Sequence, residues 1–99
     1  MAAYLIAEVE VTDPETYQSY RAQTPAVIER YGGRFLVRGG AAETLEGEGQ
    51  PGRMVVLEFP DLAAARRFYG SPEYQAIIGI RHQAATSRLI LVEGHPPGT

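Results

Sequence analysis

The sequence predicts an α+β domain of the ferredoxin-like type, with segments in the order β-α-β-β-α-β around a four-stranded antiparallel sheet. Three observations predict it. Four segments alternate side chains with the period of two that a strand requires. Stretches between them place apolar residues three and four positions apart, as on one stripe of a helix. Capping residues, prolines and glycine pairs fall at the seams.

The first strand is "AYLIAEVEV", Ala3 to Val11, with Leu5, Ala7, Val9 and Val11 on one face and Tyr4, Ile6, Glu8 and Glu10 on the other. "TDPE" then opens a helix: Asp13 caps it, Pro14 takes the first turn, and Glu15 suits the positive end of the dipole. Tyr17, Tyr20, Thr24, Val27, Ile28 and Tyr31 form its apolar stripe. Pro25 has no N–H to give, so a kink or short break is expected near residues 21–24.

Gly32 and Gly33 end the helix, the first in a left-handed C-cap conformation, and "RFLVR" forms the second strand. Gly39 and Gly40 release it into the polar loop "AAETLEGEGQPG". A phosphate loop would need its glycines between a strand and the start of a helix, so these pairs read as structural hinges. "RMVVLEF" is the third strand, with Arg53, Val55, Leu57 and Phe59 on one face and Met54, Val56 and Glu58 on the other. Asp61 caps the next helix, and Ser71 with Pro72 restarts it toward Ala85. "SRLILVEG" is the last strand, so a single domain spans 1–94, with 95–99 as a tail.

Composition limits the chemistry. The chain has 99 residues, enough for one domain, and 44% of them are hydrophobic. So much apolar sequence in so small a domain suggests burial against a second subunit. There is no cysteine, which removes thiolate catalysis and cysteine-based zinc sites. All nine basic residues are arginine, which removes lysine Schiff-base chemistry. The net charge of −3 opposes binding to a phosphate backbone. The third strand also lacks the exposed aromatics with which RNA-binding domains of the same order stack bases. No segment has the length of a membrane span, and a cytoplasmic location is expected.

With the order in place, the wording "YGGRFLVRGG", "LEG", "RMVVLEFPDLAAARRFYGSPEYQAI" and "LVEG" resembles the family catalogued as domain of unknown function 1330, over roughly residues 3–94. The resemblance implies a dimeric α+β barrel, in which two ferredoxin-like sheets pack face to face. Relatives by fold include cofactor-free oxygenases and isomerases, and the family carries no established activity to transfer. Members often have a Trp shortly after "LEG", where this chain reads "EGQPG".

Two candidate sites follow. In the strand order 4-1-3-2, Glu8 and Glu58 fall on adjacent strands of the face away from the helices. Arg38, in phase with Arg34 and Leu36, is expected beside them. This row reads either as a polar anchor with Glu58 as a general base, or as a salt-bridge network setting the register of a homodimer. The second candidate lies between helices and sheet. Arg81 interrupts the stripe Tyr74, Ile77, Ile78 and Ala85, and either snorkels to solvent, the preferred reading, or binds an anion inside a pocket. Tyr17 and Tyr20 would close that pocket or simply fill core. His82 should point away from the stripe.

The functional expectation is a homodimer that binds a small apolar or anionic organic molecule, with conversion of it, without cofactor or metal, as the enzymatic form of the same reading. The alternative is a non-catalytic module whose charges serve assembly. A ligand site is expected to need a cavity of roughly 300 Å³.

Overall fold

The computed structural model describes residues 1–96. Its elements are β1 (Ala3–Val11), α1 (Pro14–Arg30), β2 (Arg34–Arg38), β3 (Arg53–Phe59), α2 (Leu62–Gly70), α3 (Pro72–Ala84) and β4 (Ala85–Glu93). The sheet order is β2-β3-β1-β4, the predicted order read from its other edge, and every neighbouring pair is antiparallel. In the expected tail, His95 and Pro96 carry no regular structure, and residues 97–99 lie outside those described.

Alternation along β1 and β3 divides the sheet into two faces. Leu5, Ala7, Val9, Leu57 and Phe59 are buried under the helices. Phe59 and Phe68 stack at 5.2 Å between ring centroids, and Phe68 meets Tyr74 at 4.6 Å. Phe68 is only 2% exposed, so its truncation to alanine would cost about 3–5 kcal/mol through lost contacts and an unfilled cavity. The other face has no helix over it and carries Ile6, Met54, Val56, Ile90 and Val92.

The seams follow from capping chemistry. Asp13 accepts from the Thr16 N–H and Asp61 from the Ala64 N–H, each satisfying a first-turn donor. Ser71 joins two helices: its hydroxyl donates to the Phe68 carbonyl at 2.7 Å and accepts from the Tyr74 N–H at 3.1 Å. Gly32, at φ 82, turns the chain out of α1. Gly33 is needed for room, because a Cβ there would stand 2.6 Å from Cε1 of Phe59.

The break expected in α1 does not form. Pro25 sits inside a continuous 17-residue helix. Its missing N–H leaves the Arg21 carbonyl without a helical partner. That oxygen accepts instead from the Thr24 hydroxyl at 3.3 Å and from Nη2 of Arg38 at 2.8 Å. A side chain from β2 thus completes α1.

Candidate functional site

The cavity lies between the helices and the covered face of the sheet. Simple alternation along β2 would put Arg38 on the open face with Arg34. The pairing instead slips by one residue: Phe35 opposes Leu57, Val37 opposes Val56, and Arg38 opposes Val55. A bulge places two residues of one strand against one of its partner and reverses the phase beyond it. Arg38 therefore turns under the helices, corrected from the expected row with Glu8 and Glu58. Its guanidinium carbon lies 4.4 Å above the Phe35 ring.

Three further arginines line the same cavity: Arg21 from α1, Arg53 from β3 and Arg81 from α3. Tyr17, Tyr20 and Tyr74 line it as well, and its volume is ≈ 50 Å³. This is well below the roughly 300 Å³ expected of a typical ligand pocket, and suits a few waters or a small oxyanion. Two surface grooves share lining residues with it. One, of ≈ 270 Å³, shares Arg21 and Arg38; the other, of ≈ 460 Å³, shares Arg81 and also meets Tyr69 and His82.

Arg81 does not snorkel. It is 4% exposed, and its Nη1 donates to the Ser87 hydroxyl of β4. Tyr74 and Ile77 of the same stripe are buried with it, while Ile78 is half-buried. Tyr20 and Tyr74 share a hydroxyl–hydroxyl hydrogen bond of 2.6 Å. A row results: Arg53 lies 6.0 Å from the Tyr17 ring centre, Tyr17 lies 5.5 Å from Tyr20, and Tyr20 lies 6.0 Å from Arg81. A cation thus flanks the pair of aromatic rings at each end.

Among the described residues no carboxylate lines the cavity. The Nε atoms of Arg21, Arg53 and Arg81 are buried without a hydrogen-bond acceptor. Both ion pairs found among the described residues lie elsewhere, Arg30 with Glu73 and Arg34 with Glu58. Burial, and then the neighbouring charges of Arg21 and Arg53, hold the Arg38 pKa below the ordinary arginine value. Burial opposes the Arg81 cation too, but the oxygens of Tyr74 and Tyr20 more than offset it and its pKa lies above the ordinary value. Burial, followed by the Tyr74 phenol, pushes the Tyr20 hydroxyl far above its usual range.

The predicted acidic residues fall on the other side of the sheet. Glu58 accepts from Nε of Arg34 at 2.7 Å, and Glu8 accepts from the Gly52 N–H at 3.1 Å while standing opposite Arg88 in the register. The structure thus separates Glu58 and Glu8 from Arg38, and unites Arg38 with Arg81, Tyr17 and Tyr20. Arg21, Arg53 and Tyr74 were missed as site residues. Arg53 had a legible signal, a charge in phase with Val55, Leu57 and Phe59. His82 is exposed, as its phase requires. Among the described residues no three histidine, aspartate or glutamate side chains gather to hold a metal, and no helix is long and apolar enough to cross a membrane.

An antiparallel βαββαβ sheet with helices on one face defines the ferredoxin-like class. Within it, residues 2–95 match the model of the domain of unknown function family DUF1330, and the chain belongs to that family. No curated protein matches the sequence. Among solved structures, a protein of unknown function from Rhodopseudomonas palustris is similar at 24% identity and TM-score 0.78, covering 97% of this chain and 84% of its own. A dimeric ferredoxin-like protein of unknown function from Jannaschia sp. CCS1 has 14% identity, TM-score 0.71 and coverage of 95% and 100%. SnoaB, a cofactor-independent oxygenase from Streptomyces nogalater, has 21% identity, TM-score 0.64 and coverage of 98% and 96%.

Proposed function

We propose that the protein is a homodimer joined through the open sheet face, and that each subunit binds a small organic acid between its helices and sheet. The observation that carries the binding reading is the cavity wall, four arginines and three tyrosines with no carboxylate among them. Arg81 is buried and Arg21, Arg38 and Arg53 are half-buried, so part of their hydration is lost without a counterion, and an entering carboxylate supplies the missing acceptor. The tyrosine rings supply an apolar surface for the remainder of the molecule.

The dimer reading rests on the face opposite. Val37, Ile90 and Val92 leave apolar surface exposed there, a pattern that marks interaction sites. The Jannaschia neighbour is described as dimeric. In this reading the Arg34–Glu58 pair and Glu8 belong to the subunit interface and set its register. The proton-moving role expected of Glu58 is therefore not part of the proposal.

The test is thermal denaturation with pairs of small molecules differing only as acid and primary amide, with sedimentation reporting the assembly. At a hundredfold excess over its dissociation constant a bound acid adds about 2.7 kcal/mol to stability. Acids should stabilise, amides should not, and the sedimenting species should be a dimer. Equal stabilisation by acid and amide would remove the anion-binding reading, and a monomer at all concentrations would remove the dimer.

A further inference from the structure

Resting on the acid-binding reading, we infer that the ligand is a narrow organic dianion, carrying one anionic group at each end of the cavity. The charges are not gathered at one point. Arg38 lies on β2, one outer strand, and Ser87, the partner of Arg81, lies on β4, the other. Two strands separate them, so their backbones are roughly 14 Å apart at the usual strand spacing. The Tyr17 and Tyr20 rings occupy the distance between Arg53 and Arg81.

Each end has acceptor positions to fill. At the β2 end the Nε atoms of Arg21 and Arg53 are unpartnered, and Arg38 donates to a backbone carbonyl, with no ion pair to it among the described residues. At the β4 end Arg81, 96% buried, keeps Nε free beside the Tyr20–Tyr74 hydroxyl pair. A monoanion would compensate one end and leave the cations of the other without an anionic partner. Two anionic groups joined by a short chain compensate both, with the chain lying along the tyrosine rings.

Size narrows the class further. The enclosed space of ≈ 50 Å³ holds no whole organic acid, so a ligand has to be slim and extend its ends toward the flanking grooves, which share the terminal arginines. The inferred class is therefore an unbranched dicarboxylate or a comparably slim carboxylate–phosphate, not an aromatic acid.

Calorimetric titration at fixed ionic strength with matched pairs tests this: succinate against butyrate, glutarate against pentanoate, adipate against hexanoate, with inorganic phosphate alongside. The expected result is at least tenfold tighter binding of one or more dianions than of the matched monoanion. That advantage should disappear in Arg38→Gln and in Arg81→Gln, each checked for native circular dichroism. Should Arg81→Gln fail to fold, Arg38→Gln and the native pair comparison carry the test. Equal affinity within each pair overturns the dianion inference and leaves acid binding standing. Binding of phosphate alone also overturns it, and reduces the site to one anion hole. Absence of binding by every acid removes both readings together.

Discussion

Arg34 and Arg38, four residues apart on β2, point to opposite faces of the sheet. Arg34 meets Glu58 on the open face, while Arg38 reaches the Arg21 carbonyl under α1. The bulge between Phe35 and Val37 causes the reversal. The two residues should accordingly separate under mutation. Arg34→Gln should weaken self-association and leave acid binding unchanged. Arg38→Gln should do the opposite, lowering acid affinity by about tenfold or more, the usual worth of a charge-assisted contact. Sedimentation and calorimetry on the same two variants would show the split, and a joint loss from either one would contradict it.

Gly39 connects the second glycine pair to the site. It adopts φ 71, and a Cβ at this position would overlap Nη1 of Arg53. Gly39→Ala therefore meets two penalties: a left-handed backbone costs an alanine about 1 kcal/mol, and the methyl pushes the guanidinium aside. Gly40 has open space around its Cβ position, so Gly40→Ala serves as the control. The expected outcome is a lower midpoint of denaturation and weaker acid binding in Gly39→Ala only.

Much of the fold was legible because its signals are local. The alternation in β1 and β3, the Asp13, Asp61 and Ser71 caps and the Gly32 turn each act within a few residues. The misreadings are long-range. Pro25 signals a break, and the carbonyl it frees is taken up by the Thr24 hydroxyl and by Arg38 from a distant strand. The β2 bulge leaves no mark in "RFLVR", so alternation alone puts Arg38 on the wrong face. Arg53 and Arg81 were readable as charges in apolar rows, but snorkelling and burial give the same sequence pattern. Arg21 gave no such signal.

Glu73 ties α3 to the end of α1. It accepts from the Tyr31 hydroxyl at 2.9 Å and pairs with Arg30 at 3.1 Å. Its own backbone N–H and then the Tyr31 hydroxyl hold its pKa below the usual glutamate value of 4.5. A carboxyl lowered on folding contributes stability above its unfolded pKa, and loses it as pH falls through the folded value. The stability gap between the native chain and Glu73→Gln should thus be full at neutral pH and close below about pH 4.5. Urea denaturation at a series of pH values measures it, and a gap that persists at pH 2 would deny the linkage.

Tyr20 titrates in the opposite sense. Burial and the Tyr74 phenol raise it far above the ordinary value of 10.0, so the folded protein holds it neutral where the unfolded chain would ionise it. A group raised on folding contributes stability that is present below its unfolded pKa and lost as pH rises. Stability should therefore fall above pH ~10, and phenolate absorbance should show one tyrosine ionising only as the fold opens. Tyr20→Phe should remove that late step. Tyr74→Phe leaves the Tyr20 hydroxyl without its 2.6 Å partner, at a cost of about 1–3 kcal/mol for an unsatisfied buried group. If the two hydroxyls act as one unit, the double variant Tyr20→Phe, Tyr74→Phe should be less destabilised than the sum of the singles. Strict additivity would mean that each hydroxyl finds other partners in solution, and that the pair is not a fixed feature of the cavity.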